Sequence, residues 1–195
     1  MAKVELWLVR HGETEWSASG KHTSTTDIPL TDRGREKAAA LKEYLAGKKF
    51  DAVFVSPMGR ARETCAIAGY GDVAVVDDNL KEWNYGDAEG KTTPEMRELR
   101  GADWSVWTSP IVGGETVEAV GDRADKVIVR ALEVGGSVAL FAHAHILRIL
   151  AARWIGLAAT GGAKFALGTG SLSVLGFERE TQVVERWNLE TGDRG

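Results

Sequence analysis

The sequence predicts a three-layer α/β/α sandwich built on a mostly parallel sheet. Three observations predict it. The apolar runs at residues 4–9, 52–56, 73–76 and 137–142 are nearly continuous, which suits strands covered on both faces. Segments with helical apolar spacing lie between them, and alternation of this kind gives a sheet sandwiched by helices. Three of the runs also lead into basic residues: Arg10-His11-Gly12 after Val9, Arg60-Ala61-Arg62 after Ser56-Pro57, and His143-Ala144-His145 after Ala142. Ligands of an open parallel sheet bind beyond the carboxyl ends of its strands. The three strand ends therefore describe one cationic, histidine-containing pocket.

The elements follow in order. After the first strand, Thr31 is the expected N-cap of a helix whose apolar face is Ala38, Leu41 and Leu45, ended by Gly47. A second helix is expected from about Gly59 to Ala68. A third begins near Thr116 with Val117, Val120, Ala124, Val127, Ile128 and Ala131 on one face. A fourth spans about Ile146 to Ile155 and stops at Gly156. Leu172–Phe177 and Val183–Trp187 pattern as a hairpin of two strands. Residues 10–30 and 82–115 are long irregular stretches, and long connections in a compact domain tend to be functional. The tail Glu190–Gly195 is expected to fray. No repeat, low-complexity tract or linker interrupts the chain, so 1–195 is expected to be one domain.

Composition narrows the function classes. The chain has 195 residues, 44% of them apolar and 27% charged, as in ordinary soluble globular proteins. A net charge of −4 argues against a general nucleic-acid surface, but not against a small anionic ligand, for which only the local field matters. The one cysteine, Cys65, permits no internal disulfide and no multi-cysteine zinc site; it is expected in the core of the second helix. There is no apolar stretch of membrane-spanning length, and Glu5 interrupts the amino-terminal apolar run, so no signal peptide is expected. The expectation is a cytoplasmic protein with no membrane partner. The oligomeric state is not legible; a homodimer is one option.

The residue types at the strand ends suit phosphoryl transfer, which needs positioning and charge neutralisation. Arg10 and Arg60 can each offer bidentate donors to phosphate oxygens. His143 can add a third cationic donor. His11, neutral on its attacking nitrogen, can accept a phosphoryl group, with its other nitrogen oriented by a backbone carbonyl near Gly12. Gly12 would let the backbone approach the phosphate. His143-x-His145 could also be read as metal ligands, but no carboxylate cluster accompanies the pair and the arginines would repel a cation. No metal or cofactor is therefore expected. His145 is either a donor behind the site or packing at the helix start, and Arg62 is expected to be a surface or salt-bridging residue. Trp16, Trp83 and Tyr85 lie in the loops nearest the site and could line a substrate wall.

Six motifs then resemble, in order, those of the histidine phosphatase superfamily, the phosphoglycerate mutase-like proteins. They are Leu8-Val9-Arg10-His11-Gly12-Glu13-Thr14, Leu30-Thr31-x-x-Gly34, Ser56-x-x-x-Arg60-Ala61-x-x-Thr64, Leu80-x-Glu82-x-x-x-Gly86-x-x-Glu89-Gly90, Gly113-Gly114-Glu115-Thr116 and Ala142-His143. The resemblance implies a phosphoglycerate mutase-like fold and a phosphohistidine at His11. It makes Glu82 the acid that protonates the leaving oxygen, with Glu13 as rival. It implies substrate contacts from Arg10, Arg60, His143, Ser17, Thr23, Ser24 and Tyr85. The branch with Asp after the second histidine is not matched, because Ala144 follows His143. Glu82-Trp83-Asn84-Tyr85-Gly86-Asp87, His143-x-His145-x-x-Arg148 and Trp16-Ser17 resemble the fungal sedoheptulose-1,7-bisphosphatase-like members most closely. Glu89-Gly90 and Gly113-Gly114 are only about two dozen residues apart, leaving little chain to close over the substrate. An open site favours hydrolysis over transfer. The expectation is a cofactor-independent phosphomonoesterase for a small phosphorylated metabolite, sugar-like in kind. The alternatives are a mutase, a protein phosphohistidine or phosphotyrosine phosphatase, and a non-catalytic phosphate-binding module.

Overall fold

The structure, a computed structural model, describes residues 4–190. Residues 191–195, where the frayed tail was expected, lie outside the described residues. Strand β1 (Glu5–Arg10) is followed by the short helix α1 (Glu15–Ala18) and by α2 (Asp32–Tyr44). Then come β2 (Ala52–Val55), α3 (Gly59–Ile67), β3 (Ala74–Val76), α4 (Thr93–Arg100), α5 (Val117–Val134), β4 (Ser137–Ala142), α6 (Ala144–Trp154), β5 (Ser171–Glu178) and β6 (Thr181–Glu190). The six strands form one sheet in the order β3-β2-β4-β1-β5-β6. The first four are mutually parallel, and the β5–β6 hairpin adds to the free side of β1 in antiparallel fashion.

Period-two alternation along the strands divides the core in two. Leu6, Leu8, Leu140 and Ala142 face α5 and α6, whereas Val9, Val55, Ala139 and Phe141 face α2 and α3. These are the three expected layers. Cys65 is buried in the second of these cores. The edge strand β3 departs from expectation. Val75 and Val76 are 49% and 48% exposed, because β3 has only three residues and a neighbour on one side.

Register brings the functional strand ends level. Arg10 pairs with Ala142, and Val55 with Phe141. The chain leaving each of the three strands, at His11, Ser56 and His143, therefore reaches the same sheet edge. Backbone bonds hold the exits there: His11 N–H donates to the Ala142 carbonyl and Ser56 N–H to that of Phe141.

Helix boundaries show which signals were local. Thr31 caps α2 as expected, its Oγ1 accepting from Gly34 N–H at 3.0 Å. That helix ends at Tyr44, however, and Gly47 (φ +79°) belongs to the turn after it. Helix α6 starts at Ala144, two residues before the expected Ile146. His143 is its N-cap residue and makes no side-chain cap bond. The cap is the distant Glu82 carboxylate, which accepts from the His145 and Ile146 amides at 3.0 Å each. The two stretches expected to be irregular hold α1 and α4, each opened by a capping box: Thr14 with Ser17, and Thr92 with Glu95.

Gly12 also serves packing. An added Cβ would lie 2.3 Å from the Gly34 carbonyl oxygen, and one on Gly34 would lie 2.2 Å from that of Glu13. The two glycines let the loop after β1 press directly on the first turn of α2. In an ordinary helix Gly→Ala gains up to about 1 kcal/mol. Here Gly34→Ala is expected to lose about 2 kcal/mol or more, since backbone rather than a flexible side chain must yield. The midpoint of urea unfolding checks the sign.

Candidate active site

The level strand ends open into a cleft of about 440 Å³ lined by Arg10, His11, Ser17, Thr23, Glu82 and Tyr85 from the sequence-predicted set. His11 is buried, and its Nδ1 lies 2.7 Å from the Gly12 carbonyl oxygen. A carbonyl can only accept, so Nδ1 carries the proton and Nε2 keeps its lone pair. Burial, then the Arg10 and Arg60 charges, hold the imidazole well below its ordinary pKa. It is neutral at physiological pH. The loop is fixed further by Gly12 N–H donating to Thr64 Oγ1 at 3.0 Å, with Thr64 donating in turn to the Arg60 carbonyl at 2.8 Å.

Arg10 donates through one terminal nitrogen to the Leu167 carbonyl. Its Nε is buried without a partner among the described residues. Burial pushes its pKa down to about 10, so it stays cationic at neutral pH.

Arg60 and His143 are placed differently from expectation. Arg60, 1% exposed, does not line the cleft. Its Nε donates to His143 Nδ1 at 3.2 Å, and its terminal nitrogens donate to the carbonyls of Thr26, Thr23 and Ser24. Asp27 sits 3.6 Å away as a counterion. The free bidentate fork expected of Arg60 is thus corrected: the guanidinium holds the loop at residues 23–27. His143 accepts from Arg60 on Nδ1, so its Nε2 bears the proton and donates to Ser56 Oγ at 2.8 Å. Burial and the neighbouring Arg60 keep it neutral. It is therefore not the expected third cation, although its ring packs edge-on to His11 with centroids 5.1 Å apart.

The two candidate acids separate clearly. Glu82 lines the cleft. Its Oε1 accepts from the Trp83 and Ile146 amides at 2.9 and 3.0 Å, and its Oε2 from the His145 amide at 3.0 Å. Glu13 lies outside the cleft and accepts from Thr31 Oγ1 at 3.1 Å.

The remaining expectations divide. Ser17 and Thr23 reach the cleft, but the Ser17 hydroxyl closes the cap of α1 on Thr14, and Thr23 Oγ1 donates to the Lys21 carbonyl. Ser24 is corrected: its amide and hydroxyl both bond the Glu89 carboxylate, and it does not line the cleft. The reason is that the Glu89 carboxylate gathers the loop by accepting from the Ser24 and Thr26 amides. Trp16 and Trp83 are not the cleft wall either. Trp16 covers Gly90, and the buried Trp83 donates its indole N–H to the Glu115 carbonyl. Tyr85 is wall, together with Trp107, Lys21, His22, His145 and Arg148, which sequence reasoning did not place there. The Arg148 guanidinium lies 4.7 Å from the Trp107 ring centre. Its i, i+3 spacing from His145 on a helix was the available signal. Nothing local marked Trp107.

Among the described residues no group of three or more His, Cys, Asp or Glu side chains is arranged to hold a metal ion. His143 and His145 are engaged with separate partners, Arg60 and Ser56 for the first and Tyr85 for the second. No helix among the described residues is long and apolar enough to cross a membrane.

The buried neutral histidines carry a stability consequence. His11, His143 and His145 all lie well below the ordinary value, in each case chiefly through burial. Below about pH 6.5 the unfolded chain binds protons that the folded protein refuses. Stability is therefore full above that pH and is lost as pH falls toward the depressed folded values. The three together are expected to remove about 3 kcal/mol between pH 6.5 and 5.5. Denaturant midpoints across that interval check it, and a flat profile would contradict the neutral assignments.

The family model for the histidine phosphatase superfamily (branch 1) matches residues 6–190. The chain is 42% identical over 177 residues to an acid phosphatase of Mycobacterium tuberculosis, covering 89% of this chain and 86% of that one. It is 36% identical over 181 residues to sedoheptulose 1,7-bisphosphatase of Saccharomyces cerevisiae, covering 77% of this chain and 67% of that one. The solved structure of the open reading frame Rv3214 from Mycobacterium tuberculosis superposes with a TM-score of 0.90 at 38% identity, covering 96% of this chain and 98% of that one.

Proposed function

Because the chain belongs to the histidine phosphatase superfamily, branch 1, and is a phosphoric monoester hydrolase, we propose that it hydrolyses a small, sugar-like phosphate ester through a phosphohistidine on His11. The observation that carries the reading is the His11 tautomer: the Gly12 carbonyl takes Nδ1–H and leaves a neutral Nε2 beside Arg10 in the cleft. Nε2 attacks phosphorus, and the leaving oxygen takes a proton from the Glu82 carboxyl group. A water then gives a proton to the Glu82 carboxylate and attacks the phosphohistidine. Inorganic phosphate leaves, and both side chains return to their starting states. Arg10 supplies charge at the phosphate. Arg60 supplies a second charge from behind. His143 Nε2–H, now on Ser56, is the donor for which a phosphate oxygen competes.

The sugar-like leaving group is supported by a polar wall of Ser17, Lys21, Thr23 and Arg148, and by the activity named for the yeast relative. Hydrolysis is favoured over transfer because the chain between Gly90 and Gly113 contributes only α4 and a loop, leaving water access to the phosphohistidine. A phosphate-release screen across sugar phosphates, phosphoglycerates and phosphopeptides tests both points. Sugar phosphates are expected to turn over best, and release to outrun isomerisation with every phosphoglycerate. Faster isomerisation dependent on 2,3-bisphosphoglycerate would make it a mutase, and preference for phosphopeptides a protein phosphatase.

A further inference from the structure

Glu82 hangs from a stretch of chain that no regular element supports. Residues 81–85 belong to no helix or strand. Leu80 and Trp83 anchor the stretch in the core, but Glu82 between them faces two open spaces. It lines the cleft, and it lines a second cavity of about 550 Å³ together with Asn79, Asn84, Glu115 and Arg123.

Backbone groups in such a stretch need partners from elsewhere, and two residues supply them. Arg123 of α5 donates through Nη1 to the carbonyls of Asn79 and Lys81 at 2.7 and 2.9 Å, and its Nη2 lies 3.5 Å from the Glu82 carbonyl oxygen. Glu115, just ahead of α5, accepts from the Asn84 amide on Oε2 at 2.9 Å. Its own amide donates to the Asn84 carbonyl, and its carbonyl accepts the Trp83 indole N–H, each at 2.9 Å. The two side chains also lock each other. Arg123 Nε donates to Glu115 Oε1 at 2.8 Å and Nη2 to Oε2 at 2.9 Å, a bidentate pair. Gly114 lets this loop close on the stretch, because an added Cβ would lie 2.2 Å from the Asn84 carbonyl oxygen. The chain is thus gripped on both sides of Glu82, by Arg123 before it and by Glu115 after it.

We propose that Arg123 and Glu115 are a positioning pair for the acid: by fixing the backbone at residues 79–84 they hold the Glu82 carboxyl group where it reaches the leaving oxygen. This rests on Glu82 being the proton donor. Neither Arg123 nor Glu115 lines the cleft, so their influence on the reaction passes through Glu82. Proton transfer demands hydrogen-bond reach, and a misplacement of about 1 Å can lower a rate roughly a hundredfold. The amides of Trp83, His145 and Ile146 orient the carboxyl group, and the pair fixes the backbone from which it hangs. The nucleophile has separate supports: His11 on the Gly12 carbonyl, Gly12 on Thr64, and Arg10 on Leu167. Loosening the pair therefore harms the step that needs the acid and spares the attack by His11.

The test is kcat and KM for a sugar phosphate and for p-nitrophenyl phosphate in Arg123→Gln, Arg123→Lys and Glu115→Gln, each with and without Glu82→Gln. Arg123→Gln is expected to lower kcat for the sugar phosphate by roughly thirtyfold to a hundredfold, with KM within about threefold. p-Nitrophenyl phosphate, whose leaving group needs no proton, is expected to change less than about threefold, and thereby reports that the variant is folded. Arg123→Lys keeps a donor for the carbonyls and is expected to recover about tenfold of the loss. Glu115→Gln keeps an acceptor for the Asn84 amide but not the charge, and is expected to lose roughly tenfold on the sugar phosphate alone; it carries the test if Arg123→Gln does not fold. With Glu82→Gln already present, either change is expected to add less than about threefold, because the acid it positions is gone. Equal slowing of both substrates, a loss confined to KM, or full additivity with Glu82→Gln would overturn the pair. Glu82→Gln by itself separates the two levels. If it lacks leaving-group discrimination, the acid assignment fails and the pair with it; if it discriminates and the Arg123 and Glu115 variants do not, only the pair fails.

Discussion

His11→Ala is expected to abolish turnover, lowering kcat by at least about four orders of magnitude, because it removes the group that forms the covalent intermediate. The fold should survive the change. The His11 side chain makes one hydrogen bond, to the carbonyl of its own neighbour, while the backbone at that position is held independently by Ala142 and Gly170. During turnover the unsubstituted protein is expected to carry an acid-labile phosphoryl group, and peptide mapping under alkaline conditions locates it. Phosphorylation of any residue other than His11, or turnover of His11→Ala within tenfold of the unsubstituted protein, would refute the nucleophile.

Glu82→Gln is expected to slow sugar phosphates by about two to four orders of magnitude, and p-nitrophenyl phosphate far less. A sugar alkoxide leaves poorly without a proton, whereas nitrophenolate leaves well. The alkaline limb of the sugar-phosphate profile should flatten in the same variant. Glu82 also caps α6 through the His145 and Ile146 amides, so Gln, with one acceptor oxygen, is expected to cost about 1 kcal/mol of stability. Retained turnover of p-nitrophenyl phosphate separates that cost from the loss of the acid. Glu13→Gln should show no leaving-group discrimination, since its carboxylate bonds Thr31 outside the cleft. Equal slowing of both substrates by Glu82→Gln would reduce Glu82 to a structural role.

Much of this molecule was legible in the chain. The strands of the parallel sheet announce themselves as unbroken apolar runs because both of their faces are covered. The N-cap Thr31 is a local signal, complete within four residues, and its bond to Gly34 forms as expected. His11 and its carbonyl partner at Gly12 are adjacent in sequence, so the orientation of this imidazole was legible too. The capping boxes of α1 and α4 are equally local signals, each complete within four residues.

What the sequence by itself determined is which residue types arrive at the sheet edge, since strand pattern and the chain leaving each strand are read within a few residues. Only the tertiary structure decided what those residues are free to do. Arg60 spends its donors on carbonyls more than thirty residues away and on His143. Ser24 is claimed by Glu89, and Glu82 becomes the cap of a helix more than sixty residues on. Trp107 reaches the wall from a loop with no distinguishing pattern. The physical reason is common to all four. A hydrogen bond or a buried contact between distant segments depends on packing that brings them together, and it leaves no period, cap or spacing in either segment alone.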